Sequence, residues 1–286
     1  MADATGFLRT PGDHGELLGR AVARLREDER VVALVLGGSL ARGAADCYSD
    51  IDLYVVVQDG AFDAVLAERD AIAGGVGSRL FAFDVDPVPG GSTDRIVLYE
   101  GPHGKPIKFD FMYLKESDLV PDPKWVGCTV LEDEGGRVGG VVARSEGLEP
   151  PPPKPEELRE LNQKFWTLCW YVFGKIVRGE LWEALDGLHN IRSLALVPLL
   201  DWAAERPHDG YRRLKGKLNA GTASLLGATL SPLEPEALYA ALRAEVELFR
   251  GLRAEVFAPH GSGFDPAPEE ALEAEMGRLW ASRGGC

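Results

Sequence analysis

Residues 31–57 read VVALVLGGSLARGAADCYSDIDLYVVV, and no other stretch constrains the fold as tightly. The runs Val31 to Leu36 and Leu53 to Val57 are apolar and rich in β-branched residues. They are too short for globular helices and fit buried strands bounded by Gly on one side and Ser/Asp on the other. Gly37, Gly38 and Ser39 then fall where the first strand ends. A glycine pair lets backbone approach a ligand closely, and Ser39 is a natural N-cap whose following amides point outward at the positive end of a helix dipole. The spacing predicts a strand, a phosphate-holding turn, a short helix and a second strand.

Asp50 and Asp52 are two residues apart, so on a strand they project from one face while Ile51 and Leu53 project into a core. Two carboxylates held that close call for a cation between them. Hard oxygen ligands, few and open to water, suit Mg²⁺ shared with substrate phosphates. Alone, Gly-Gly-Ser is more often a plain turn and Asp-x-Asp a solvated strand end; their order and proximity give the pair its meaning.

The set Gly38, Ser39, Arg42, Gly43, followed by Ser49, Asp50, Ile51, Asp52, Leu53, resembles the signature of the polymerase-β-like nucleotidyltransferase superfamily. The resemblance implies a third carboxylate on a strand beside the Asp-x-Asp strand. Residues 106–114 alternate Ile107, Phe109 and Phe111 against Lys108, Asp110 and Met112, so Asp110 lies opposite an apolar row and is the residue that matches. Asp84 and Asp86 are rivals, expected to be solvated at a strand end before Pro87.

Elsewhere, Glu16 to Arg30 reads as an amphipathic helix packed beneath the first strand, and Phe62 to Ile72 as a helix stopped by Gly74-Gly75. Leu80 to Val85 and Arg95 to Glu100 read as strands, and Cys128 to Val142 as a hairpin around Glu134-Gly135-Gly136. Pro150 to Pro153 with Pro155 form a stiff break. Beyond it the pattern is helical: a stripe from Leu158 to Arg178, then Leu181 to Ala204 bent by Pro198, Leu225 to Leu230, Glu236 to Phe257, and Glu269 to Arg283. The expected architecture is α/β (α+β): an N-terminal domain, 1–149, with a mixed sheet, and an all-α helical bundle, 150–286.

The chain has 286 residues, 45% hydrophobic and 27% charged, the profile of a soluble globular protein. No signal peptide or membrane-spanning run is evident, so a cytoplasmic location is expected. The four cysteines are dispersed, which fits free thiols better than zinc ligands, and the histidines form no ligand-spaced pair. A net charge of −14 argues against a nucleic-acid partner and suits a cationic small molecule, although acidity also serves solubility. The only basic cluster, Arg212, Arg213, Lys215 and Lys217, lacks interleaved aromatics. Trp166, Trp170 and Phe173 have core spacing, with base stacking the alternative.

With its domain order, the chain resembles the antibiotic-modifying nucleotidyltransferases that act on aminoglycosides and lincosamides. The resemblance implies attack of an acceptor hydroxyl on the α-phosphorus of ATP or another nucleoside triphosphate, with pyrophosphate released. Asp50, Asp52 and Asp110 would hold two Mg²⁺ ions, Asp110 either completing a metal site or taking the acceptor proton. Gly38, Ser39, Arg42 and Ser49 would serve the nucleotide, with Lys175 and Arg178 as further phosphate contacts or, equally, a solvated helix face. The acceptor would be a small hydroxyl compound bound between the domains, and the protein a monomer or homodimer. A nucleotide-binding regulator or antitoxin-like protein of the same fold, acting on a protein partner, is the alternative; an RNA-directed enzyme is disfavoured by charge.

Overall fold

The structure, a computed structural model, describes residues 12–85, 92–101, 103–208 and 210–283. By contact the chain divides into two compact units, one ending at Leu148 and the other beginning at Glu149. The first is built on a six-stranded sheet. Its strands are β1 (Val31–Leu36), β2 (Ile51–Val57), β3 (Arg79–Val85), β4 (Thr93–Glu100), β5 (Pro106–Lys115) and β6 (Thr129–Asp133). Their order is β3-β4-β5-β2-β1-β6, with β2 and β5 parallel and the other neighbours antiparallel.

Alternation along the strands separates two faces. Ile51, Leu53 and Val55 of β2 join Phe109, Phe111 and Tyr113 of β5 and Val97 and Tyr99 of β4 in one buried cluster. The helices α1 (Gly12–Arg26) and α3 (Phe62–Gly74) cover it through Leu17, Leu18, Leu25, Val65 and Ile72. Helix α1 starts and stops earlier than its apolar stripe suggested. The chain turns after Leu25, where the Val31 amide donates to the Asp28 carbonyl at 2.9 Å. Arg30, expected to end the helix, instead pairs with Asp28 and Glu68, each at 2.7 Å.

The other face is covered over part of its area by α4 (Arg137–Ser145), which packs Val138, Val141 and Val142 on Val35, Val56, Leu114 and Trp125. This corrects the expected hairpin: only its first arm, β6, is a strand. The valines that bury themselves are spaced by three and one, the period of a helix. The Asp133 carboxylate accepts from the Val138 and Gly139 amides at 3.2 and 2.8 Å, satisfying two orphan donors of the first turn. Gly136, at φ 71°, supplies the left-handed entry.

The second unit is helical: α5 (Pro155–Val177), α6 (Leu181–Ile191), α7 (Val197–Ala203), α8 (Ala220–Ala228), α9 (Pro235–Val256) and α10 (Ala267–Ala281). The single helix expected over 181–204 is interrupted by a π-turn at Arg192–Leu196, just before Pro198, whose nitrogen has no hydrogen to donate. Helix α8 begins at Ala220, ahead of the expected Leu225, because Asn219 caps it through the Thr222 amide at 2.8 Å. Phe165 and Phe249 stack at 3.6 Å between α5 and α9 in the core. Trp166 and Phe173 are buried there, whereas Trp170 is 44% exposed. Cys47, Cys128 and Cys169 are free; Cys286 lies outside the described residues. Among the described residues no helix is long and apolar enough to cross a membrane.

Candidate active site

The uncovered part of the second sheet face is a grid set by strand pairing. Phe83 of β3 stands opposite Ile96 of β4, Ile96 opposite Asp110 of β5, and Asp110 opposite Asp52 of β2. The next row runs Phe81, Leu98 and Lys108, with Asp50 one residue before β2; the row on the other side runs Val85, Asp94, Met112 and Tyr54. One face thus presents four carboxylates, with Asp94 on β4, Asp110 on β5, Asp52 on β2 and Asp50 just before it, although Asp50 and Asp110 are far apart in sequence.

Asp50, Asp52 and Asp110 each offer a carboxylate oxygen within 4.8 Å of the others. Lys108 projects beside Asp110 and places its Nζ 3.2 Å from Asp50 and 2.5 Å from Asp110. Burial pushes the Asp110 carboxyl above the usual range; Lys108 works against it, and the charges of Asp50 and Asp94 add to it. Burial would lower Lys108, but its bonds and charge interactions with Asp110 and Asp50 leave it raised. The Asp110 Oδ1 is buried without a hydrogen-bond partner. Three hard oxygen donors this close, with one orphaned lone-pair atom among them, fit Mg²⁺.

The glycine turn abuts this cluster. Gly37 donates to the Asp52 carbonyl at 2.8 Å and, rather than Ser39, occupies the N-cap of α2 (Gly38–Ala41), where no side chain caps. Gly38 has φ +64°, and a Cβ there would lie 1.8 Å from Asp52 Oδ2, so both backbone and space require glycine. Ser39 follows in the same turn. Arg42, at the C-cap of α2, lays its side chain over Gly127, whose Cβ would sit 3.2 Å from Arg42 Cγ. Burial, opposed by Arg42 and assisted by Asp52, pushes the Cys128 thiol up to about 11. Ser49 turns its hydroxyl inward, accepting from the Asp46 amide at 2.9 Å.

Sequence reasoning missed three contributors. His14, 3% exposed on α1, sits 2.7 Å through Nε2 from the Ser49 carbonyl and braces the loop before Asp50; only its position on an apolar helix face hinted at this. Lys108 was visible as part of the alternation but carried no motif. Asp94 was outside every pattern considered. The rival Asp84 is held on the opposite face by Arg69, through two bonds of 2.8 Å, and by Arg95; Asp86 lies outside the described residues. In the second unit Lys175 pairs with Glu180 and Glu183 at 2.6 and 3.0 Å, and Arg178 with Glu180 at 3.3 Å. A cavity of about 550 Å³ lies beside α4, lined by Asp59, Glu116, Arg137 and Arg144. It sits past the far ends of β2 and β5 and includes none of the three aspartates, and Arg137 there is already paired with Glu116.

The model of a family described as streptomycin adenylyltransferase matches residues 14–270. No protein of curated function matches the chain. A solved aminoglycoside 6-adenyltransferase from Bacillus subtilis is 16% identical with a TM-score of 0.45, over 93% of this chain and 98% of that one. A nucleotidyltransferase-like protein from Exiguobacterium sibiricum is 10% identical with a TM-score of 0.38, over 82% of this chain and 76% of that one.

Proposed function

Since the chain belongs to the streptomycin adenylyltransferase family and is thereby an adenylyltransferase, we propose that it moves AMP from ATP to a hydroxyl of a small, cationic, antibiotic-like acceptor. The observation that carries this reading is the convergence of Asp50, Asp52 and Asp110 beside a glycine turn. The acceptor oxygen forms a bond to the α-phosphorus, the bond to the bridging oxygen breaks, and pyrophosphate leaves with that electron pair.

Asp50, Asp52 and Asp110 would hold Mg²⁺, which when bound supplies charge stabilisation at the phosphates and leaving group. The chain's own groups do the remaining work. Gly37 and Gly38 keep side chains out of the space in front of Asp52, where the backbone of the Gly38–Ser39 turn would hold phosphate oxygens. Arg42 braces that turn against the loop at Gly127 and adds positive charge near the phosphates. Asp110, opposite Asp52 in the strand register, either completes the metal set or takes the acceptor proton. Ser49 shapes the loop that presents Asp50. Lys175 and Arg178, expected as further phosphate contacts or a solvated helix face, are engaged by glutamates of their own unit.

The test is incubation of the full chain with Mg²⁺, each nucleoside triphosphate in turn, and a panel of aminoglycosides, lincosamides, neutral sugars, tRNA and proteins, read by mass spectrometry. A mass gain of one AMP on an amine-bearing sugar is expected. Label on RNA or protein alone, with none on any small molecule, overturns the proposal.

A further inference from the structure

The sheet face next to Asp110 is apolar and open where a folded chain would ordinarily be covered. On β3, Phe81, Phe83 and Val85 all point to the carboxylate side and are 74%, 58% and 40% exposed. Beside them on β4, Ile96 and Leu98 are only partly buried. Three large apolar side chains exposed in a row at the edge of a site form a contiguous patch of the kind that marks a binding surface.

Among the described residues one charge stands within this shelf. Asp94 lies between Val85 and Met112 in its row, diagonal to Asp110, and close enough for its charge to act on Asp110. Its Oδ1 is buried without a hydrogen-bond partner, and no described basic side chain forms an ion pair with it. Arg95, its neighbour in sequence, points through the sheet to Asp70 and Asp84. A partly buried carboxylate left unpaired costs free energy that a bound cation recovers. Lys108, the lysine nearest on this face, is committed to Asp50 and Asp110.

We propose that this shelf is the acceptor subsite, with Phe81 and Phe83 carrying the apolar faces of the acceptor's rings and Asp94 binding one of its cationic groups. The proposal rests on the adenylyltransferase reading above and adds the residues that select the acceptor. Two features favour a cationic ring compound over any other occupant. Among the described residues the only charge on the shelf is negative, and the shelf runs without a break into the carboxylates where the hydroxyl must arrive. From Phe83 to Asp110 is two strand spacings, about 10 Å, a span that a molecule of two linked rings crosses with its hydroxyl at the Asp110 end.

The experiment uses the full chain with streptomycin as the probe, comparing wild type with Asp94→Asn, Phe83→Ala and, on the opposite face of β3, Asp84→Asn. Binding is measured by calorimetry without nucleotide or metal, and transfer by steady-state kinetics. Asp94→Asn and Phe83→Ala are expected to weaken streptomycin binding and raise its KM at least tenfold, with the KM for ATP unchanged and kcat at saturating acceptor within threefold. Asp84→Asn should leave all of these as they are. Thermal stability of Asp94→Asn should be equal or higher, since the substitution removes an unpaired charge, whereas a structural role would lower it. Unchanged streptomycin affinity in both shelf variants overturns the subsite while leaving the adenylyltransferase reading standing. A wild-type dimer that Phe83→Asp dissociates also overturns it, by giving the shelf another occupant. A wild-type chain that neither binds nor modifies streptomycin or any other amine-bearing sugar overturns both.

Discussion

Asp52 and Asp110 are direct partners across the parallel pair β2 and β5, so the third carboxylate is brought to the second by strand register and not by any loop. A slip of one residue between these strands would turn Asp110 to the core face and Phe109 or Phe111 to the site. The aromatic row stacked beneath, with Phe109 and Phe111 at 4.2 Å, therefore fixes the geometry of the carboxylates above it.

Asp50→Asn, Asp52→Asn and Asp110→Asn should each reduce AMP transfer by at least about a hundredfold, the scale of losing one charge-stabilising group at a reacting centre. None of the three side chains is part of the apolar clusters, so circular dichroism and melting temperature should change little. Near wild-type turnover in Asp50→Asn or Asp52→Asn at saturating Mg²⁺ would remove the metal assignment.

Gly38 and Gly43 offer a matched pair, since both have φ +64° but only Gly38 faces Asp52. Alanine at either position should cost about 1–2 kcal/mol of backbone strain. Only Gly38→Ala should also abolish transfer, because its methyl displaces the Asp52 carboxylate. Equal activities in the two variants would count against the turn as part of the site.

Asp84→Ala should leave transfer intact and cost about 0.2–1 kcal/mol of stability, the range for exposed ion pairs, because both partners are partly exposed and Arg69 loses its two bonds. Chemical denaturation measures the cost. A large activity loss would return Asp84 to the list of catalytic candidates.

Alkylation of Cys128 by iodoacetamide should be slow at neutral pH and rise about tenfold per pH unit toward its pKa near 11. The sign follows from burial, which disfavours the thiolate. Because the folded value lies above the ordinary thiol value, the associated stability is present below that ordinary value and is lost as pH rises to about 11. Peptide mapping, with exposed Cys47 as internal reference, gives the rates. Fast labelling of Cys128 at pH 7 would contradict its burial.

The strands were legible because their apolar runs are short and β-branched, and Asp110 was legible because the family resemblance called for a carboxylate on a neighbouring strand and alternation put Asp110 opposite an apolar row. What failed was also local. Residues 134–142 carry glycines that read as a hairpin turn, yet Asp133 caps a helix from the preceding strand, an interaction set by a side chain rather than by period. Ser39 has the chemistry of an N-cap, but Gly37 holds that position because its amide is tied to Asp52 across β2. Lys108, His14 and Asp94 were illegible for a common reason: each acquires meaning only from a partner, or the lack of one, on another element.

The β2–β5 pair has a consequence for how the chain reaches its native state. Among the described residues it is the parallel contact in an otherwise antiparallel sheet, and β3 and β4 lie in sequence between its two members. Such non-local pairing closes a long loop before it is rewarded, and so belongs to the slow part of folding. It must also draw Asp110 up to Asp50 and Asp52 against their mutual repulsion. Lys108 travels on the same strand as Asp110 and meets Asp50 as the strands align, so the ammonium that brings β5 home arrives with the charge that resists it. The folded chain thereby holds the three carboxylates together with a counterion that the strand itself supplies.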